Sequence, residues 1–94
     1  MRKRYTQDPA DNLDYAIDWG GEWLDTGETV ATSTWVATPP GLTTSLTSIV
    51  NNNTTTVVWL SGGTANSIYT VTNRITTTDG RTAERSIIVT IRNL

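Results

Sequence analysis

From Tyr69 to Arg92 the chain alternates with period two on both sides of Asp79-Gly80, and this limits the fold more than any other feature. Tyr69, Val71, Asn73, Ile75 and Thr77 share one face of a long strand; Thr70, Thr72, Arg74 and Thr76 share the other. Asp-Gly is a tight hairpin signal, because glycine adopts the positive φ that such turns need. Ala83 to Arg92 then returns, with Ile87, Val89 and Ile91 inward and Ser86, Thr90 and Arg92 outward. A helix would place its apolar residues three and four apart, and these stand two apart. Ile88 breaks the outward polarity and is a candidate partner contact.

The upstream chain has the same period. Leu13, Tyr15, Ile17 and Trp19 alternate with Asp14, Ala16 and Asp18, which reads as a strand, apolar face in and acids out. A helix beginning at Asp8-Pro9 is the rival reading, since Leu13 and Ile17 are four apart; four consecutive odd positions favour the strand. Gly20-Gly21 ends it. Thr29 to Ala37 is the next strand, stopped by Thr38-Pro39-Pro40-Gly41. Leu42 to Val50 reads as a short strand near an edge, and Asn51-Asn52-Asn53 as a turn. Thr54 to Leu60 is a strand with Val58 and Leu60 on one face and Val57 and Trp59 on the other; the turn Ser61-Gly62-Gly63-Thr64 follows. Threonine supplies 20 of the 94 residues, and its branched Cβ suits strands. The expectation is a small antiparallel β-sandwich of six to seven strands over 13–94. Residues 1–12 are polar and predict an extended N-terminal arm that orders only against a neighbour.

Composition narrows the chemistry. There is no cysteine and no histidine, so a disulfide scaffold, a zinc finger and a Cys or His acid–base centre are excluded. A chain of this length buries only about 60–65% of its unfolded surface, so the core is thin and open to completion by a partner. The net charge of −2 argues against a nucleic-acid partner, whose binding surface should be basic. No run is long and apolar enough for a membrane span, and Tyr5-Thr6-Gln7-Asp8-Pro9 stands where the apolar core of a secretion signal would lie. A protein made in a cytoplasm is expected.

Seven of the nine acids lie between Asp8 and Glu28. Asp14, Asp18, Glu22, Asp25 and Glu28 could be read as a calcium site or a hydrolytic carboxylate pair. Their spacing matches no EF-hand loop, and a solvated strand face explains them better. Gly62-Gly63-Thr64 lacks the lysine and helix of a phosphate loop and is a turn. Arg74, Arg81, Arg85 and Arg92 read as solvated surface, with acids on a neighbour as the other option. No catalytic, metal or cofactor-binding residues are expected, and no cofactor. The interface candidates are Arg2, Arg4 and Tyr5 on the arm, Trp23 and Leu24 in a loop that should be polar, Trp35 and Trp59, and Ile88. Buried tryptophan often anchors an interface.

The run Ser61 to Thr72, with a turn glycine before Tyr69-Thr70-Val71, resembles an immunoglobulin-like domain entering its penultimate strand. There the tyrosine packs at a corner and its hydroxyl bonds nearby backbone. A narrower resemblance rests on Asp14-Tyr15-Ala16-Ile17-Asp18-Trp19, Trp23-Leu24, Trp35 before Pro40-Gly41-Leu42, Val58-Trp59-Leu60-Ser61-Gly62-Gly63, Tyr69 to Thr77 and Gly80-Arg81-Thr82. In this order the motifs resemble small virion proteins of tailed phages, the fiber–tail adaptor or head–tail-associated proteins. The resemblance implies a structural role without catalysis. The first expectation built on it is one copy in a symmetric ring of the virion, with tail, portal/adaptor or fiber proteins as partners. A capsid decoration protein or a receptor- or carbohydrate-binding module is the alternative, and an enzyme has almost no support.

Overall fold

In a computed structural model, residues 3–94 are described, and β-strands carry most of them. The elements are β1 (Lys3–Gln7), β2 (Asn12–Asp18), α1 (Trp19–Glu22), β3 (Val30–Thr38), β4 (Leu42–Val50), β5 (Thr55–Gly62), β6 (Ile68–Thr77) and β7 (Thr82–Ile91). A four-stranded sheet, β1-β7-β6-β3, packs on a three-stranded sheet, β2-β5-β4. Every pairing is antiparallel except β1 with β7, which is parallel.

The expected inward series is the core. Tyr69, Val71, Ile75, Ile87, Val89 and Ile91 are buried and meet Ile17, Val58, Leu60 and Leu42 from the opposite sheet. Each such side chain taken from water contributes roughly 1.5–3 kcal/mol. The β6–β7 register centres on the Asp79-Gly80 turn, where Gly80 holds φ 80°. Tyr69 forms the expected corner: its hydroxyl oxygen accepts the Thr64 N–H at 2.9 Å. Gly63 is needed for a different reason. At φ 90°, a Cβ there would stand 2.8 Å from Ile91 Cγ1.

Three expectations are corrected. Within the expected arm, residues 3–7 are a strand of the sandwich. Lys3 to Gln7 lie in register with Ile87 to Ile91, and the Gln7 carbonyl accepts the Arg92 N–H at 3.0 Å. Gln7 is fully buried and satisfied on both sides of its amide. Nε2 donates to Leu60 O at 2.8 Å and Asp11 O at 3.1 Å, while Oε1 accepts from Tyr15 Oη at 2.7 Å. Polarity hid this strand, because backbone ladder bonds and one satisfied amide hold it where apolar side chains usually would. Next, Ile88 is 6% exposed rather than free for a partner. β1 covers the flank of β7, so Ile88 lies between Thr70 and Arg4 on an interior strand. Last, Trp19 and Gly20-Gly21 form a single helical turn rather than a strand end. The Asp18 carboxylate accepts the Gly21 N–H at 3.1 Å, and Trp23 N–H bonds Trp19 O at 2.8 Å.

Candidate interaction surface

The polar heart of the sandwich is Asn73, which the sequence pattern places on the inward face between Val71 and Ile75. It is fully buried. Its Oδ1 accepts from Trp19 Nε1 at 2.9 Å and Thr56 Oγ1 at 2.6 Å. Its Nδ2 donates to Ser33 Oγ at 2.8 Å and Thr34 O at 2.9 Å. One amide thus joins β6, β3, β5 and the start of α1. A polar residue inside an otherwise apolar inward series signals such a network.

At one end of the sandwich the loop after α1 folds onto the β6–β7 turn. Trp23 packs edge-on against Trp19 with centroids 5.7 Å apart, and the Arg81 guanidinium lies 3.9 Å over the Trp23 ring. Arg81 also forks onto Glu28, with Nε 2.9 Å from Oε2 and Nη2 on Oε1. Thr77 Oγ1 donates to Glu28 Oε2 at 2.6 Å, and the Asp25 N–H to Oε1 at 3.0 Å. Asp25, Glu28 and Asp79 bring their carboxylates together, and Arg81 sits beside them as the compensating cation. Trp23 and Leu24 are half-buried against the core, which leaves only part of each for a neighbour. Glu28 is buried, unlike the exposed Asp14, Asp18, Glu22 and Asp25. No spacing rule links it to Arg81, 53 residues away.

Arg81 in the first place, with Thr77 and the Asp25 N–H, holds the Glu28 carboxyl at about 2, below its ordinary 4.5. A depressed carboxyl stabilises the fold fully above the unfolded value and loses that contribution as pH falls through the folded value. Thermal melts from pH 7 downward should therefore show a loss of Tm beginning below about pH 4.5 and continuing toward pH 2. Glu28→Gln should start from a lower Tm at pH 7 and show a flatter acid slope. Equal slopes in both proteins would remove Glu28 from the acid transition.

The remaining candidates separate by face. Trp35 turns inward on β3 and is 8% exposed, so it is core rather than contact; its indole N–H finds no acceptor among the described residues. Arg4 is exposed on the outer face, and Tyr5 is half-buried, its ring edge-on to Tyr15 at 4.8 Å. Arg2 lies outside the described residues. A cleft of about 410 Å³ opens between β7 and β2, lined by Lys3, Ile17, Glu22, Glu84, Arg85 and Ile87 among others.

Trp59 is the aromatic candidate left on an outer face. It stands on β5, the central strand of the three-stranded sheet, in register with Asp14 on β2 and Ser45 on β4. Val57 lies two residues away on the same face, and both side chains are half-buried. Val50, in register with Thr55, adds apolar surface on that face, and Leu46, on the irregularity between Ser45 and Ser48, adds more beside it. Asp14 and Asp18 border this patch. An apolar centre with a charged rim is the anatomy of a protein interface. The outer face of the four-stranded sheet is more mixed: hydroxyls, including a Thr72–Ser86 bond of 2.8 Å, lie among Arg4, Arg74 and the exposed Val36 and Ile68.

A family model described as "Podophage GP4 fiber-tail adaptor protein gp77" matches residues 7–90. No curated protein matches the chain. Among solved structures, the solution structure of the PKD domain from KIAA 1837 protein is similar, with a TM-score of 0.56 and 20% identity. That match covers 98% of this chain and 80% of the other. At this identity the likeness supports the immunoglobulin-like fold alone. Among the described residues, no helix is long and apolar enough to cross a membrane.

Proposed function

The chain belongs to the podophage fiber–tail adaptor family, a family of structural phage proteins, and on that premise we propose that it joins tail and fiber components as one copy in a symmetric ring. It does so without catalysis, as a component of the virion. The family match over residues 7–90 carries this reading. Closed symmetry suits a small domain, because modest contacts repeated in every copy add up to a stable junction.

The outer face centred on Trp59 is the docking surface for the tail or fiber protein. Large aromatic side chains in a partly desolvated setting supply most of the energy of such contacts. Trp59→Ala should leave the melting temperature of the purified chain within a few degrees, because the ring packs outside the core. Incorporation into particles should fall at least about 30-fold, the equivalent of roughly 2 kcal/mol at an anchor position. Complementation of a particle lacking this protein, read by mass spectrometry of purified tails, measures that loss. Normal incorporation of a folded Trp59→Ala chain would move the interface elsewhere. Recovery of the chain with capsids and not with tails would favour a decoration role.

A further inference from the structure

A sandwich has four edges, and in this protein three of them are guarded. β1 is short and carries Lys3 and Arg4. β2 carries Asp14 and Asp18. β4 is interrupted midway by a register shift between Ser45 and Ser48, where Leu46 holds φ 47°. Charges, short length and irregularity are the usual means of preventing one edge from pairing with another. β3 has none of them; the β4–β5 turn covers only its first residue, where the Asn53 carbonyl accepts the Val30 N–H at 2.8 Å. It runs nine residues, VATSTWVAT, without an ionisable group, proline or glycine, and its only irregularity lies at its start, between Val30 and Thr32.

The free edge can be located residue by residue. The Thr34 carbonyl accepts from Asn73 Nδ2, so it faces β6. Peptide groups alternate direction along a strand. Ser33, Trp35 and Ala37 therefore present their N–H and C=O groups to the side where the sheet ends. Val36, in register with Thr72 on the outer face, is 59% exposed beside them.

We propose that this edge pairs with the β3 edge of a second copy of the chain, antiparallel and two-fold about Thr34, giving one continuous eight-stranded sheet. The sequence is matched to itself in that register. Thr34 meets Thr34 of the second copy, Thr32 meets Val36, Ser33 meets Trp35, and Ala31 meets Ala37. Alanine faces alanine, the Trp35 ring opposite Ser33 is already turned into the core, threonine pairs favourably with threonine across strands, and neither copy brings a charge to the seam. Val36 is then covered on its open side. The ladder bonds come in reciprocal pairs between Ser33 of one copy and Trp35 of the other. The charged edges of β1 and β2 are not matched to themselves in this way.

The test is sedimentation velocity of the purified full chain over a concentration series. It does not depend on the adaptor reading, since it uses no other virion protein. A monomer–dimer equilibrium is expected. Thr34→Lys sets two ammonium groups against each other at the two-fold axis and should weaken the dimer by about tenfold or more without lowering the melting temperature. Thr6→Lys, an exposed position on β1, should leave the dimer intact. Val36→Lys provides a second test at the seam should Thr34→Lys fold poorly. A chain monomeric to about 1 mM would overturn the proposal. So would a dimer indifferent to both seam variants, and so would a monomer whose seam variants lose only particle incorporation, which would give the edge to a different protein's strand.

Discussion

Asn73→Ala is expected to lower the unfolding free energy by about 3 kcal/mol or more. The substitution strips a satisfied amide from a site with no solvent access and leaves the Thr34 carbonyl without its side-chain donor. Trp19 Nε1 keeps only its longer 3.1 Å contact to Thr56. Each buried polar group so abandoned costs about 1–3 kcal/mol, and the small void adds to it. Asn73→Asp separates the polar account from the packing one. The carboxylate keeps nearly the same volume and can still accept from Trp19 and Thr56. However, it now faces the Ser33 hydroxyl and the Thr34 carbonyl with no N–H to offer, and it carries a buried charge. Its pKa in the fold should rise, so the loss of stability should grow as pH climbs above about 4 and shrink below it. Urea unfolding at pH 3.5 and pH 7 decides the matter. A destabilisation independent of pH would mean that the site admits water.

Removing residues 3–7 should cost about 5 kcal/mol, comparable to the whole stability of a domain this small. Five ladder positions disappear from β7. Gln7 leaves behind the Leu60 carbonyl and the Tyr15 hydroxyl that it satisfied. Tyr5 uncovers Tyr15, and the outer flank of Ile88 opens to water. Circular dichroism melts of the truncated and full chains should show loss of a cooperative transition in the former. An unchanged melt would return the segment to the role its composition predicts, an arm that orders only on a neighbouring protein.

The contrast between these two sites explains what the sequence reveals. The inward series Tyr69 to Thr77 and Ile87 to Ile91 is legible because strand geometry repeats every two residues and the solvent boundary imprints that repeat on the side chains. Asn73 is legible as a misfit in that series, though not its four partners. The β1 strand carries no such imprint. Only Tyr5 and Gln7 turn toward the core, and one is an amide. The Trp59 surface is half legible: alternation with Val58 and Leu60 fixes its face, and only the sheet order makes that face central and bordered by aspartates. Trp35 and Ile88 invert the expectation. Each sits beside another apolar residue, Val36 or Ile87, and a local pattern cannot say which of two neighbours a third strand will cover.

The parallel union of β1 with β7 also governs the order in which the chain can acquire its structure. Lys3 is synthesised some eighty residues before Ile87, and neither has its strand partner until both exist. The hairpin of β6 and β7, by contrast, closes over a few residues at Asp79-Gly80. Pairings distant along the chain form late, since loop closure must be met before the contact is gained. During translation the first strand therefore waits, with one flank of the future sheet missing, while some eighty residues follow it from the ribosome. Lys3 and Arg4 suit a segment in that position: a positively charged strand stays soluble and repels its own kind until the C-terminal strand arrives to receive it.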